Sequence, residues 1–170
     1  MENPLLLMAE IAEKFSFSFP SVNSIVHARN KYLMKRCFIE HGIPCAYGIL
    51  VEPNAEIDEK ILYGFTFPLI IKPVDSFSSR GVFLVTSFDE LQQYLDKTKS
   101  FSSDGKILIE EFLNGPEVSV ESVTYNGQTT VIQITDKVIT NYPYTVEMAH
   151  IQPSSAAQTT PKSHISASYS

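Results

Sequence analysis

The sequence predicts an α+β fold, and three patterns indicate it. Apolar residues recur at helical spacing over about 24–41 and form one apolar face. From residue 67 onward the pattern changes to short apolar runs of the kind that strands covered on both faces show. Asn126-Gly127 then stands between two strand-like runs and is the strongest short turn signal in the chain. Helices come first and strands follow, the last two joined as a hairpin, which favours the α+β class.

Two helices are predicted ahead of the strands. The first covers 4–15, where Pro4 suits the first helical position and Leu-rich turns follow. The second runs from about Ser24 to His41, and Gly42 ends it. Further elements follow in chain order: a strand at 67–73, a loop at 74–80, a strand at 81–86, a helix from the capping box of Ser87 and Glu90 to about 95, and strands at 107–113, 118–124 and 129–135.

Composition and charge exclude several classes of protein. Apolar residues make up 44% of the 170 and charged residues 19%, as in soluble globular domains. A net charge of −6 offers no basic stripe for a phosphate backbone, so we expect no nucleic-acid partner. The longest apolar stretches, 5–9 and 68–71, are too short to cross a bilayer, and the N-terminus lacks the basic start of a signal peptide. We therefore expect no membrane association and a cytoplasmic location.

The two cysteines, Cys37 and Cys45, have no C-x-x-C spacing and no accompanying histidine pattern. Both are predicted to be buried free thiols of a reducing compartment.

The segment PLIIKPVDSFSSRGV, residues 68–82, has the elements of a phosphate site. Lys72 ends a buried strand, and the serine-rich loop after it closes on Gly81, so a fixed cation would lie beside backbone N–H groups and hydroxyls. It is not a P-loop, because G-x-x-x-x-G-K-[ST] is absent. The alternative is that Lys72 extends along a strand edge into solvent and that the serines form a surface loop. The spacing alone leaves both interpretations open.

Two other segments carry charged residues with similar ambiguity. In KILIEEFLNGPEVSVES, residues 106–122, a strand ends in two glutamates and could hold an adenine edge and ribose hydroxyls, or it could be an ordinary acidic strand end. In ARNKYLMKRCFIEHGIP, residues 28–44, Lys31 is predicted one turn into a helix beside Arg29, with Lys35 and Arg36 following. By itself this pattern favours a solvated basic face.

Taken in order, the three segments resemble the ATP-grasp family. The residues that carry the resemblance are N-K-Y-L-M-K, then P-L-I-I-K-P with a loop ending S-R-G-V, then E-E-F-L-N-G-P-E and a hairpin, over about 20–153. The branch is the one with carboxylate–amine ligases, carbamoyl-phosphate synthase and biotin carboxylase. The resemblance implies an ATP-grasp fragment: a small antiparallel-sheet nucleotide lobe with flanking helices and the first hairpin of the large lobe. The implied divisions are a helical interlobe segment at 1–45, the small nucleotide lobe at 46–113 and the start of the large lobe at 114–152. The composition of 153–170, rich in serine and without an acidic residue, predicts a disordered tail.

The resemblance also implies a role for each matching residue. Lys31 and Lys72 would reach the nucleotide phosphates. The flexible loop over the triphosphate would be Ser78, Ser79, Arg80 and Gly81. Glu110 would be the hinge acid near the adenine amino group, the backbone of Glu111, Phe112 and Leu113 would read the adenine edge, and Glu117 would bind the ribose hydroxyls.

Two departures from the family pattern affect what we expect. The loop has Ser76, Phe77 and Ser78 ahead of a single Gly81, so fewer positive-φ positions and less loop mobility are expected. The family binds Mg²⁺ through an acidic pair and an asparagine late in the large lobe, and nothing after residue 153 supplies them. ATP and Mg²⁺ are the implied cofactors, with the protein ligands of the metal absent from this chain.

The implied function is that of an ATP-binding segment of an ATP-dependent carboxylate–amine ligase acting through an acyl phosphate, incomplete for catalysis. The family's substrates would be a small carboxylate and an amine, near Lys137, Glu147 and His150, although a structural role is favoured for each of these three. The alternative is a non-catalytic nucleotide-binding or assembly module that pairs with a separate chain carrying the missing lobes. A protein kinase is excluded, because G-x-G-x-x-G, H-R-D and D-F-G are all absent.

Overall fold

The computed structural model describes residues 4–141 and 146–155. It divides after Phe112 into two compact units, which are described separately here. Most of the tail predicted at 153–170, namely 156–170, lies outside the described residues. No helix in the described ranges is long and apolar enough to cross a membrane.

The helical segment at the start of the first unit contains three helices rather than two. Helix α1, Pro4–Phe15, is confirmed with the predicted bounds. The single helix predicted from Ser24 to His41 is wrong, because α2, Val22–Arg29, and α3, Lys31–Glu40, are separated at Asn30.

Asn30 causes this break because it is both the C-cap of α2 and the N-cap of α3. Its backbone is extended, with φ −102° and ψ 111°, and its N–H donates to the Val26 carbonyl to close α2. Its side-chain oxygen accepts from the N–H groups of Tyr32 and Leu33, which caps α3. The Lys31 N–H donates 2.8 Å to the Val74 carbonyl, outside the helix. Lys31 is therefore the first residue of α3, not a residue one turn into a helix.

A four-stranded antiparallel sheet forms the centre of the first unit. Its strands are β1, Gly48–Val51; β2, Leu69–Pro73; β3, Phe83–Val85; and β4, Ile107–Glu111, in the order β1-β4-β2-β3. A short 3-10 helix covers Glu59–Leu62, and α4 covers Phe88–Lys99. Strands β2, β3 and β4 were predicted, whereas β1 and the 3-10 helix were not.

The two faces of this sheet differ in character, because strand side chains alternate between faces. One face is apolar: Leu69 and Ile71 of β2 and Ile107 and Ile109 of β4 are buried in one cluster with Leu91 and Leu95 of α4. The alternate positions of β2 and β4 carry Lys72 and Glu110 on the other face. The register fixes their neighbours, since Glu110 lies opposite Gly48 on β1 and Ile70 on β2.

Helix α4 begins at the predicted cap. The Ser87 hydroxyl accepts from the Glu90 N–H at 3.2 Å, and the Glu90 carboxylate accepts from the Thr86 N–H at 2.7 Å. The helix continues to Lys99, past the predicted end near 95, and Thr98 in its last turn is buried.

The second unit is a three-stranded antiparallel sheet of β5, Val118–Tyr125; β6, Gln128–Ile139; and β7, Glu147–Ile151. The predicted hairpin is confirmed. Asn126 and Gly127 both have positive φ, 48° and 74°, which the tight turn between β5 and β6 requires. Strand β7 was not predicted.

The cysteines are free, but the prediction that both are buried is wrong. Cys37 and Cys45 are each half-buried. Cys37 lies on the last turns of α3, with its sulfur 3.8 Å from His41 Nδ1, and Cys45 lies in the connection that leads to β1. Neither position belongs to the core.

Candidate functional site

A single buried carboxylate, that of Glu110, binds two lysines on the polar face of the first sheet. Lys35 Nζ lies 3.0 Å from Glu110 Oε1, and the ammonium of Lys72 contacts Oε2. The side chains of Lys35 and Glu110 are 7% and 9% exposed, while that of Lys72 is 22% exposed. Two positive charges meet one negative charge, so the group carries an excess positive charge at a partly dehydrated position.

This arrangement follows from the local structure of three elements. Strand β2 presents Lys72 and strand β4 presents Glu110, while α3 brings Lys35 over them. Gly48 on β1 leaves room for the carboxylate, since a Cβ there would lie 2.8 Å from Glu110 Cγ and 3.0 Å from the Ile109 carbonyl oxygen. The Lys35 ammonium also donates to the Ala46 carbonyl just before β1.

Lys31 adds a third ammonium to the same region. Its Nζ donates to the carbonyl of Ser76 in the loop after β2. Burial lowers the pKa of Lys31, the charge of Lys72 lowers it further, and Asp75 and Glu110 oppose the shift. Lys31 therefore contacts the loop that follows Lys72 on β2, and the charge of Lys72 acts on it.

The loop 75–81 has more left-handed residues than predicted. Ser78 and Ser79 have φ of 55° and 54°, and Gly81 has φ of 75°. Fewer such positions than in the family's loop were expected because Gly81 is the single glycine, but the glycine count is a poor guide here, since two serines adopt this conformation themselves. A left-handed residue other than glycine costs about 1–2 kcal/mol of backbone strain, and such strain is concentrated at functional sites.

Several contacts fix the ends of this loop. The Arg29 guanidinium lies over the Phe77 ring, 5.0 Å from its centroid. Asp75 accepts from the Ser103 N–H. Gly81 is required by space as well as by φ, since a Cβ there would lie 2.8 Å from the Phe101 ring.

An open pocket of about 520 Å³ lies between this loop, Arg29 and the segment 101–103. Ser78 and Arg80, two of the four residues that the resemblance assigns to the phosphate-covering loop, line it, and Arg29 adds a second guanidinium. Its charged lining consists of these two arginines and Asp75. The pocket can accept an anion through guanidinium groups and serine hydroxyls.

The predicted adenine-reading residues follow at the end of β4. Glu111 N–H donates to the Tyr47 carbonyl, and the Glu111 carboxylate accepts from the Tyr47 N–H, both at 2.9 Å. The N–H of Glu111 is thus already used within the unit. Phe112 is half-buried, and Leu113 begins the second unit with 68% of its surface exposed.

The predicted ribose ligand, Glu117, lies in the second unit with the other charged residues considered from sequence. Lys137 Nζ is 3.2 Å from Glu117 Oε2 and 4.0 Å from Glu147 Oε2. His150 Nε2 contacts the second carboxylate oxygen of Glu147. These four residues form one network of polar contacts on this sheet.

Sequence reasoning missed Lys35, which it assigned to a solvated basic face. Arg36 does belong to such a face, where it pairs with Glu40 at 3.1 Å. Lys35 is instead buried against Glu110. The available signal was its i, i+4 spacing from Lys31, which places both lysines on one side of α3.

No metal site appears in the part of the chain that the structure describes. Within residues 4–141 and 146–155, no group of three or more His, Cys, Asp or Glu side chains lies close enough together to hold an ion.

A family model for the ATP-grasp domain matches residues 65–167, which is more than half of the chain. The chain belongs to the ATP-grasp family. This membership confirms the resemblance inferred from the three motifs, and it accounts for the order of the lysine strand, the serine loop and the paired glutamates.

Curated relatives of this ATP-grasp chain include D-alanine–D-alanine ligases. The one from Flavobacterium psychrophilum is 41% identical over 96 residues, which are 56% of this chain and 29% of the relative. One from Helicobacter pylori is 34% identical over 110 residues, 64% of this chain and 31% of the relative. The chain thus spans less than a third of the length of these two relatives.

Solved structures show the same fold. The D-alanine–D-alanine ligase of Helicobacter pylori superposes with a TM-score of 0.64 at 28% identity, covering 75% of this chain and 39% of that one. An L-amino acid ligase from Bacillus licheniformis gives a TM-score of 0.71 at 20% identity over 90% of this chain and 36% of that one. The predicted α+β ATP-grasp fragment is confirmed by these structures.

Proposed function

We propose that this chain is the ATP-binding segment of an ATP-dependent carboxylate–amine ligase that works through an acyl phosphate. The observation that carries the proposal is the pair of lysines, Lys35 and Lys72, on the buried carboxylate of Glu110, with Lys31 held against the loop that follows β2. A polyphosphate would compensate the excess positive charge of this group, and rigid strands and a helix hold the lysines ready for it.

The remaining predicted residues have complementary roles in this proposal. The loop of Ser78, Ser79, Arg80 and Gly81 covers the phosphates with hydroxyls and a guanidinium. The backbone of Glu111 to Leu113 reads the adenine edge, and Glu117 binds the ribose hydroxyls. Family membership and the order of these residues along the chain support the assignment.

The chemistry proposed for the whole protein has two steps. A substrate carboxylate attacks the γ-phosphoryl group and gives an acyl phosphate and ADP. An amine then attacks the acyl carbon, and inorganic phosphate and a proton leave. The D-alanine–D-alanine ligase relatives favour amino acids for both substrates. Because this chain spans under a third of those relatives, we assign it nucleotide binding and leave completion of catalysis to residues outside the described part.

A calorimetric titration with ATP and Mg²⁺ tests the proposal. We expect the wild-type chain to bind and Lys72→Ala to weaken binding by at least about tenfold, since the variant loses the ammonium that the ligand can reach. Lys60→Ala is the matched control, because Lys60 is an exposed lysine of the 3-10 helix in the same unit. Equal affinities of wild type and Lys72→Ala would refute the assigned role of Lys72.

Proton uptake provides a second prediction, at Lys31. Its pKa is lowered in the free chain by burial and by Lys72, and a bound polyphosphate would raise that pKa by favouring the ammonium form. ATP binding should therefore take up protons at alkaline pH, and affinity should fall as pH rises through the pKa of Lys31 in the free chain. Calorimetric enthalpies in two buffers of different ionisation enthalpy measure the uptake.

Lys31→Arg is the control for this measurement. Arginine keeps its charge throughout the pH range, so the variant should bind without the proton uptake assigned to Lys31. Wild-type enthalpies that do not depend on the buffer, or the same uptake in the arginine variant, would contradict the prediction.

A further inference from the structure

Lys35 occupies a position that a lysine rarely takes without a specific partner. Its side chain is 7% exposed, and its ammonium lies between Glu110 Oε1 and the Ala46 carbonyl oxygen. Removing an ammonium from water costs several kcal/mol, which only good pairing offsets. The other oxygen of the Glu110 carboxylate is already held by Lys72. Lys35 is thus a second cation on a carboxylate that one cation would neutralise.

The absence of a side chain at Gly48 on β1 leaves the space that Lys35 and Glu110 occupy. Gly48 faces Glu110 in the register of β1 and β4. A Cβ at this position would lie 2.8 Å from Glu110 Cγ and 3.3 Å from Lys35 Cε, so any side chain at position 48 would displace the pair. The missing side chain makes room for both members of the Lys35–Glu110 contact.

The two lysines differ in how much solvent reaches them. Lys72 is three times as exposed as Lys35, 22% against 7%. A ligand that approaches from solvent meets the ammonium of Lys72, whereas that of Lys35 is enclosed by protein oxygens. The excess positive charge of the group is therefore presented through Lys72.

We propose that Lys35 is a positioning residue for phosphate binding, which neutralises Glu110 so that the charge of Lys72 remains available to the phosphates of ATP. The inference rests on the proposed function and adds a residue that does not touch the nucleotide. Without Lys35, the carboxylate of Glu110 neutralises Lys72 and holds it away from a phosphate. With Lys35 present, the same carboxylate orients Lys72 but leaves a net positive charge.

The test compares ATP with adenosine in four versions of the full chain. These are wild type, Lys35→Met, Lys35→Arg, and the double variant Lys35→Met/Glu110→Gln. Methionine keeps the length of the side chain without its charge, and in this single variant Glu110 retains Lys72 as a partner, so no buried charge is left unpaired. Calorimetry with Mg²⁺ measures ATP binding, ligand-observed NMR measures adenosine binding, and thermal unfolding checks that each variant is folded.

We expect Lys35→Met to weaken ATP binding by about tenfold or more while adenosine affinity stays within about threefold of wild type. Lys35→Arg should restore most of the ATP affinity because it restores the charge. The double variant should bind ATP several-fold more tightly than Lys35→Met, because Lys72 again has no neutralising carboxylate, while the amide oxygen of the glutamine can still accept from an adenine amino group. A residue with only a structural role would lower both affinities and would not be rescued by a second substitution.

Three outcomes would overturn the inference. They are wild-type ATP affinity in Lys35→Met, equal losses of ATP and adenosine affinity, and a double variant no better than the single one. If wild type itself fails to bind ATP, the proposed function fails and this inference fails with it. If wild type binds and Lys72→Ala does not, but Lys35→Met behaves as wild type, only the role of Lys35 is lost.

Discussion

Glu110→Gln is expected to lower the free energy of unfolding by about 3–5 kcal/mol, because it leaves the buried ammonium of Lys35 without a counter-charge. Glutamine has nearly the same shape, so the effect isolates the charge. Lys35 is enclosed and cannot turn to water without breaking the contact between α3 and the sheet. Urea unfolding followed by circular dichroism measures the change.

Two comparisons make this prediction specific. Glu56→Gln changes the same group at an exposed site of the same unit and should alter stability by no more than about 0.5 kcal/mol. Lys35→Met/Glu110→Gln removes both buried charges together and should recover most of the loss. A loss below about 1 kcal/mol in Glu110→Gln would show that the carboxylate is not the counter-charge the structure indicates.

Ile109→Ala is expected to lower the free energy of unfolding by about 2–5 kcal/mol. Ile109 is fully buried on β4, the strand between β1 and β2, and packs with the apolar cluster under α4. Truncation removes apolar contacts and leaves a cavity that the surrounding strands fill only in part. The same urea measurement reports the change.

Ile39→Ala is the matched control for this substitution. Ile39 lies on α3 with 56% of its surface exposed, and alanine favours a helix, so stability should change by no more than about 0.5 kcal/mol. Similar losses in both variants would show that the β4 core does not carry the stability of the first unit.

Elements with a strong local pattern could be predicted, and elements created by distant contacts could not. Pro4 set the start of α1, and Asn126-Gly127 set the second-unit hairpin. Strand β1 has only four residues and is completed by pairing with β4, about sixty residues away in sequence. The break at Asn30 was missed because the apolar period runs through it, while the bond from Lys31 N–H to the Val74 carbonyl depends on the folded sheet.

The candidate site shows the same division. Family resemblance singled out Lys31, Lys72 and Glu110, which spacing alone could not separate from surface charges; the structure pairs Lys72 with Glu110 and holds Lys31 against the loop after β2. Lys35 was missed because its burial depends on the register that sets Gly48 against Glu110. A charge pattern along one helix cannot report which of its lysines faces a carboxylate on a strand seventy-five residues later.

The left-handed backbone conformations of Ser78 and Ser79 affect the free energy of any rearrangement of this loop. Their backbone energy is raised by about 1–2 kcal/mol per residue over an ordinary conformation. Any rearrangement that returns both residues to the right-handed or extended regions releases that energy and so offsets part of the entropy lost when a loop becomes ordered around a ligand. Glycine adopts the same backbone angles without this cost. Two serines at these positions therefore favour a rearrangement of the loop that two glycines would not favour.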